Sequence, residues 1–168
     1  MSVLVYTENW DGKFKKLSFE LVSYASSLAD LLKTTVTAVS IGKADEDELK
    51  KLGDFGAVKI LNITCPQLTY LDNQVYAKII AETAHKENSE IIIFANNNTG
   101  KALAPRVSVR LKAGLASGVN RLPSGIEPFV ISKRSYSGNA YAHIIINTSI
   151  KVITLSQNSF DLITRPTG

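Results

Sequence analysis

The sequence predicts an α/β fold: three layers, a mainly parallel sheet with helices on both faces, and an antiparallel strand addition at the C-terminal end. Three observations carry this. Residues 91–95 (Ile91, Ile92, Ile93, Phe94, Ala95) form an apolar run with no polar alternation, as in a strand covered on both faces of a parallel sheet. Upstream, apolar residues recur at helical spacing, as at Leu17, Leu21, Ala25, Leu28 and Leu32. Past Gly114 the helical period disappears, and short strand candidates follow one another across short polar connections, which implies antiparallel pairing.

The chain begins with a strand at residues 2–6, followed by a polar loop over 7–16 that Trp10 and Phe14 are expected to pin. The helical stripe from Leu17 makes the first crossover helix. β-branched residues over 34–41 make a second strand, ended by Gly42. Residues 44–52 run from acidic to basic, matching a helix dipole, and Gly53 is a natural stop. A third strand covers 57–63, and a loop with Pro66 covers 64–71. Asp72 or Asn73 caps a long helix whose buried face is Tyr76, Ile79, Ile80, Thr83 and Ala84. After the strand at 91–95, Asn96, Asn97, Asn98 and Thr99 make a turn and a helix start, and Leu103, Val107 and Leu111 mark that helix. Pro105 predicts that it starts late or kinks near Ala102. The remaining strands fall at 118–122, 128–134, 139–147 and 151–156.

At 168 residues and 18.3 kDa, with 45% apolar and 20% charged residues, the chain can bury one core and is short for two. A single α/β domain is expected over 1–157, with 158–168 a linker or tail. Nineteen basic against fifteen acidic residues give a net charge of +4. The basic residues are scattered, with no dense run interleaved with aromatics, so nucleic-acid binding is not expected. Cys65 is the only cysteine, which rules out an internal disulfide and fits a reducing compartment. Met1 leads directly into Val3, Leu4 and Val5 without a secretory pattern, and the apolar runs fall far below the ~20 residues of a membrane span. A cytoplasmic protein is the expectation.

The junction of strand and helix at 96–106 is the candidate site, because ligands of open α/β sheets sit at the carboxyl ends of strands. The amides of residues 99–102 can receive an anion, with Lys101 or Arg106 as counter-charge. Neither the phosphate-loop spacing nor a dinucleotide glycine fingerprint is present. Elsewhere His85 and His143 lie in unrelated elements, and Cys65 has no neighbouring base. The carboxylates cluster on a surface helix. No catalytic or metal-ligating constellation emerges.

Three stretches carry a resemblance to a known family. They are Thr99-Gly100-Lys101 with Leu103-Ala104-Pro105-Arg106-Val107 and Arg110-Leu111; Tyr136-Ser137-Gly138-Asn139-Ala140; and Lys151-Val152 with Thr154, leading to Phe160. A weaker echo lies in Leu52-Gly53-Asp54-Phe55-Gly56-Ala57. Together they make the chain resemble the N-terminal domain of the electron transfer flavoprotein alpha subunit over nearly its whole length. That resemblance implies an adenine-nucleotide-hydrolase-like domain that packs on a beta subunit. It places FAD in a further C-terminal domain, whose flavin-binding motifs are absent here, so no cofactor is expected on this domain. It further implies a vestigial nucleotide loop at Thr99, Gly100, Lys101 and Arg106. The family often has an Arg-Pro pair after the last strand where this chain has Ser156-Gln157, and the asparagine triplet replaces a commonly smaller loop.

Two readings lead, with a basic RNA-binding domain ranked last. In the first, the domain is the scaffold of an electron carrier without catalytic residues of its own. FAD in the full-length subunit then moves electrons from dehydrogenases to a quinone-linked oxidoreductase of the respiratory chain. In the second, it is an adenine-nucleotide-binding module using the 96–106 loop.

Overall fold

A computed structural model describes residues 1–68 and 70–165. Its elements follow the expected order, beginning with β1 (Ser2–Tyr6), a two-strand ribbon of β2 (Asn9–Trp10) and β3 (Lys13–Phe14), and α1 (Lys16–Leu32). Next come β4 (Thr35–Ile41), α2 (Glu46–Asp54), β5 (Lys59–Ile63), α3 (Asn73–Lys86), β6 (Ser89–Ala95) and α4 (Asn98–Leu111). The chain closes with β7 (Gly114–Val119), β8 (Phe129–Ser135), a 3-10 turn at Tyr136–Gly138, β9 (Ala140–Ile146) and β10 (Lys151–Leu155).

Eight strands form one sheet in the order β5-β4-β1-β6-β10-β7-β8-β9. The six strands from β5 to β7 are parallel, and β8 and β9 are antiparallel. The fold class agrees with the expectation, and the place of the last strand corrects it. β10 was expected among the antiparallel strands, yet it runs parallel between β6 and β7. Its Val152, Ile153 and Leu155 are fully buried, which only an interior strand covered on both faces allows. Short polar connections indicate hairpins only where the next strand pairs with its predecessor, and β10 does not.

Alternation along β1 shows why its apolar run is unbroken. Val3 and Val5 join one core with Leu21, Tyr24 and Leu28 of α1, whereas Leu4 and Tyr6 join another with Ile80 of α3 and Leu103 of α4. The sheet is thus the middle of three layers. On α3 the buried face is Tyr76, Ala77, Ile80, Ala81, Thr83 and Ala84, with Ile79 half-buried. Asp72 caps it by accepting from the amides of Gln74 (2.9 Å) and Val75 (3.0 Å).

Three local expectations are corrected. The helix at 98–111 runs through Pro105 without a late start. Pro105 lies on the exposed face, where water can serve the carbonyl that its missing N–H leaves unpaired. β7 begins at Gly114 rather than Gly118, and Gly118 adopts a positive φ of 73° at a register irregularity opposite β10. There the Gly118 amide leaves the ladder and donates to Thr154 Oγ1 at 2.9 Å. Finally, Phe14 is buried against Phe19 and pins the ribbon, while Trp10 stays 52% exposed with the Lys15 ammonium 4.1 Å above its ring.

Beyond β10 the chain has no regular secondary structure through Arg165, yet it lies along α1 as a strap. Glu20 of α1, 1% exposed, accepts the backbone amides of Asn158 (3.1 Å), Ser159 (2.9 Å) and Phe160 (3.2 Å). Phe160 meets Tyr24 edge-on at 5.3 Å, and Arg165 pairs with Asp30 at 2.6 Å. The expected linker continues over residues 166–168, which lie outside the described residues.

Tyr6 and Tyr24 are among the phenols inside this frame. Tyr24 is fully buried with its hydroxyl donating to the Arg121 carbonyl at 2.9 Å, and Tyr6 is 5% exposed. Burial pushes both above the ordinary value of 10.0, and for Tyr6 the Glu8 carboxylate adds to it. An unfolded chain releases these protons near pH 10 while the folded chain keeps them. Stability is therefore complete below about pH 10 and falls as the pH rises beyond it. Denaturant titrations at pH 8 and pH 10.5 are expected to show the lower midpoint at the higher pH.

Candidate functional site

In sheet order β1 lies between β4 and β6, so the chain builds outward to β5 on one side and then returns to β6 on the other. This reversal leaves a crevice beyond the carboxyl ends of β1 and β6, where α/β sheets place their ligands. The 96–106 junction lies here, as expected.

The residues facing the crevice are only partly the expected ones. A cavity of about 280 Å³ is lined by Tyr6, Glu8, Trp10, Leu21, Asn97 and Gly100, among others. A second, of about 900 Å³, shares Tyr6, Glu8 and Trp10 with it and is also lined by Thr99, Tyr70 and Tyr76. Lys101 and Arg106 line neither. Both are exposed on α4, and Arg106 Nη1 donates to the Ala102 carbonyl of its own helix at 2.7 Å. Thr99 and Gly100 are thus brought to the crevice, and the two cations are not.

Within the crevice, Glu8 takes the position facing the start of α4. Its Oε1 accepts from Thr99 Oγ1 at 2.8 Å, and its Oε2 accepts from Asn97 Nδ2 at 3.1 Å. Asn97 in turn caps the helix by accepting from the Gly100 amide at 2.8 Å. A carboxylate near a helix N-terminus is favoured by the same partial positive charge that would attract a phosphate. Glu8 raises the pKa of Tyr76 as well, after burial, which is the larger cause.

Gly100 has a packing role. A Cβ built on it would come within 1.6 Å of the Ala95 carbonyl oxygen, so the helix start lies directly against the end of β6. Asn96 is engaged too: its Oδ1 accepts from Thr154 Oγ1 at 3.0 Å, joining β6 to β10.

Sequence reasoning missed Glu8. It is a charged residue just past the first apolar strand, which is a usable signal, but only the strand order reveals that this strand adjoins β6. The remaining candidates stay apart. Cys65 is exposed and hydrogen-bonded to Gln67, His85 is exposed, and His143 Nδ1 meets Ser132 Oγ at 3.0 Å. Among the described residues no three His, Cys, Asp or Glu side chains gather as a metal site, and no helix is long and apolar enough to cross a membrane.

Fold and crevice together define a doubly wound α/β domain whose ligand-type crevice holds one of its own carboxylates. Within that class, the chain belongs to the electron transfer flavoprotein domain family, whose model matches residues 3–167. It is similar to the electron transfer flavoprotein subunit alpha of Megasphaera elsdenii, with 33% identity over 147 residues, covering 85% of this chain and 43% of that protein. The acryloyl-CoA reductase electron transfer subunit beta of Anaerotignum propionicum is 30% identical over 128 residues, 76% of this chain and 35% of that protein. A third relative, the lactate dehydrogenase (NAD(+),ferredoxin) subunit LctC of Acetobacterium woodii, is 26% identical over 160 residues, 94% of this chain and 38% of that protein. The chain therefore spans less than half the length of these relatives.

Proposed function

We propose that this chain is the N-terminal scaffold domain, over residues 1–157, of an electron transfer flavoprotein alpha subunit, with 158–168 leading toward an FAD-binding domain. It packs on a beta subunit in the cytoplasm and supports FAD-mediated transfer from dehydrogenases toward the respiratory chain. The observation that carries this reading is the family match along nearly the whole chain. The relatives that are an acryloyl-CoA reductase electron transfer subunit and a lactate dehydrogenase subunit favour partners of the dehydrogenase and reductase class.

The crevice does not fit FAD. A dinucleotide pyrophosphate needs a close glycine-rich approach, whose fingerprint this chain lacks, and here the Glu8 carboxylate already holds the Asn97 and Thr99 side chains at the helix start. No residue of this chain is therefore assigned a redox step, and the domain acts as a carrier component and not as an enzyme.

The test is reconstitution of the full-length subunit with its beta partner. Flavin absorbance and electron transfer from a dehydrogenase are expected, and a complex with neither would overturn the reading. The competing nucleotide module rests on the position of the crevice alone. Calorimetric titration of this chain with AMP and ATP is expected to show no binding. Micromolar binding that Lys101→Ala or Arg106→Ala abolishes would favour the module instead. Glu8→Ala, which strips two side-chain donors of their acceptor, is expected to lower stability by about 1–2 kcal/mol in urea melts.

A further inference from the structure

The antiparallel end of the sheet carries an open edge. Among the described residues β9 stands last in the strand order with β8 on one side only. Its seven residues, Ala-Tyr-Ala-His-Ile-Ile-Ile, contain no lysine, proline or acidic group, and they pair with β8 in unbroken register from Ala140 to Ile146. Natural edge strands are protected by shortness, charge, proline, bulges or a covering element. β9 has none of the first four. The helices pack mainly against β1, β4, β5, β6, β7 and β10.

Its side chains divide between two faces. Ile146 lies in the core and Ile144 packs on it, while Tyr141 and Ile145 on the opposite face are 44% and 54% exposed. Beside them stand cations. Arg134 pairs across the ladder with Tyr141 and is exposed, and the Arg121 guanidinium sits 4.6 Å over the Tyr141 ring. Along β8, the turn and β9, residues 129–146 carry Lys133 and Arg134 and no acidic residue. A second copy pairing edge to edge would set like charges against each other, whereas an acidic strand would meet opposite ones.

We propose that the β9 edge is a strand-addition surface for an extended acidic segment of a partner protein. Its main chain completes the ladder, and Arg134 and Arg121 select its acidic side chains. This goes beyond the scaffold reading and stands without it.

The test uses the purified chain, isotope-labelled for NMR, and two blocked peptides that alternate valine with glutamate or valine with lysine. The glutamate peptide is expected to slow amide exchange at 140–146 and to bind less tightly as salt is raised, while the lysine peptide leaves those amides unchanged. Arg134→Glu is expected to weaken the glutamate peptide roughly tenfold with the melting temperature unaltered. Three results would each overturn the proposal: no protection of β9, equal binding of both peptides, or a concentration-dependent dimer protected at β9 without peptide. Preferential protection of those amides by an RNA oligonucleotide would overturn it as well.

Discussion

Glu20→Ala is expected to release the segment past β10 from the body of the domain. In the folded chain both carboxylate oxygens are used, Oε1 by the amides of Ser159 and Phe160 and Oε2 by that of Asn158. Hydrogen bonds to a charged acceptor contribute more than neutral ones, about 1.5–3 kcal/mol each. The loss is capped, because a detached strap exposes its amides to water and then forfeits only its own docking energy. A destabilisation of about 3 kcal/mol follows, which lowers the melting temperature of a domain this size by roughly 10 °C. Hydrogen exchange locates it: amides from 158 to 165 lose protection, while those of β1 and β6 keep theirs at low denaturant. Glu20→Gln separates charge from shape. A glutamine oxygen at the Oε1 position keeps two amides, but its NH2 then faces the Asn158 N–H donor, so an intermediate loss is expected. Unchanged exchange over 158–165 in the alanine variant would show that Phe160 and Arg165 hold the strap without Glu20.

Gly100→Ala is expected to have an effect of similar size at the start of α4. Alanine improves helix propensity by about 1 kcal/mol over glycine, so an exposed position would gain stability. Here the new Cβ would lie 1.6 Å from the Ala95 carbonyl oxygen and 2.8 Å from the Ala95 carbonyl carbon, both backbone atoms that no side-chain rotation can move aside. The start of α4 has to withdraw from β6, breaking the Asn97 cap and the contacts of Asn97 and Thr99 with Glu8. Forced repacking of this kind costs typically 1–3 kcal/mol and occasionally more, and a net loss of about 3 kcal/mol is expected in urea denaturation. A variant as stable as the parent would mean that the helix start shifts freely, and Glu8 would no longer be held as described.

Both sites show where sequence stops being informative. Glu20 lies within the apolar stripe between Leu17 and Leu21, and a charge there signals something unusual. Its partners lie about 140 residues away along the chain. Glycine at 100 invites a reading as a phosphate-approaching residue, because close backbone approach to a ligand and to a neighbouring strand demand the same missing side chain. Lys101 and Arg106 have the chemistry of anion binding, and only their direction on the helix, outward from the crevice, withdraws them. β10 was legible as a strand and not as a parallel one, since local pattern carries no information on which neighbour a strand will meet.

By itself, then, the sequence determined the layered α/β class, the cap regions at 72–73 and 96–99, the core faces of the helices and the family. These rest on residue type and on periods of two and 3.6, which are local properties of the chain. Tertiary structure decided the insertion of β10, the clasp of Glu20 on the final segment, and the placing of Glu8 against Asn97 and Thr99. Each of these depends on contacts between residues far apart in the chain, set by strand order and close packing, which no local pattern encodes.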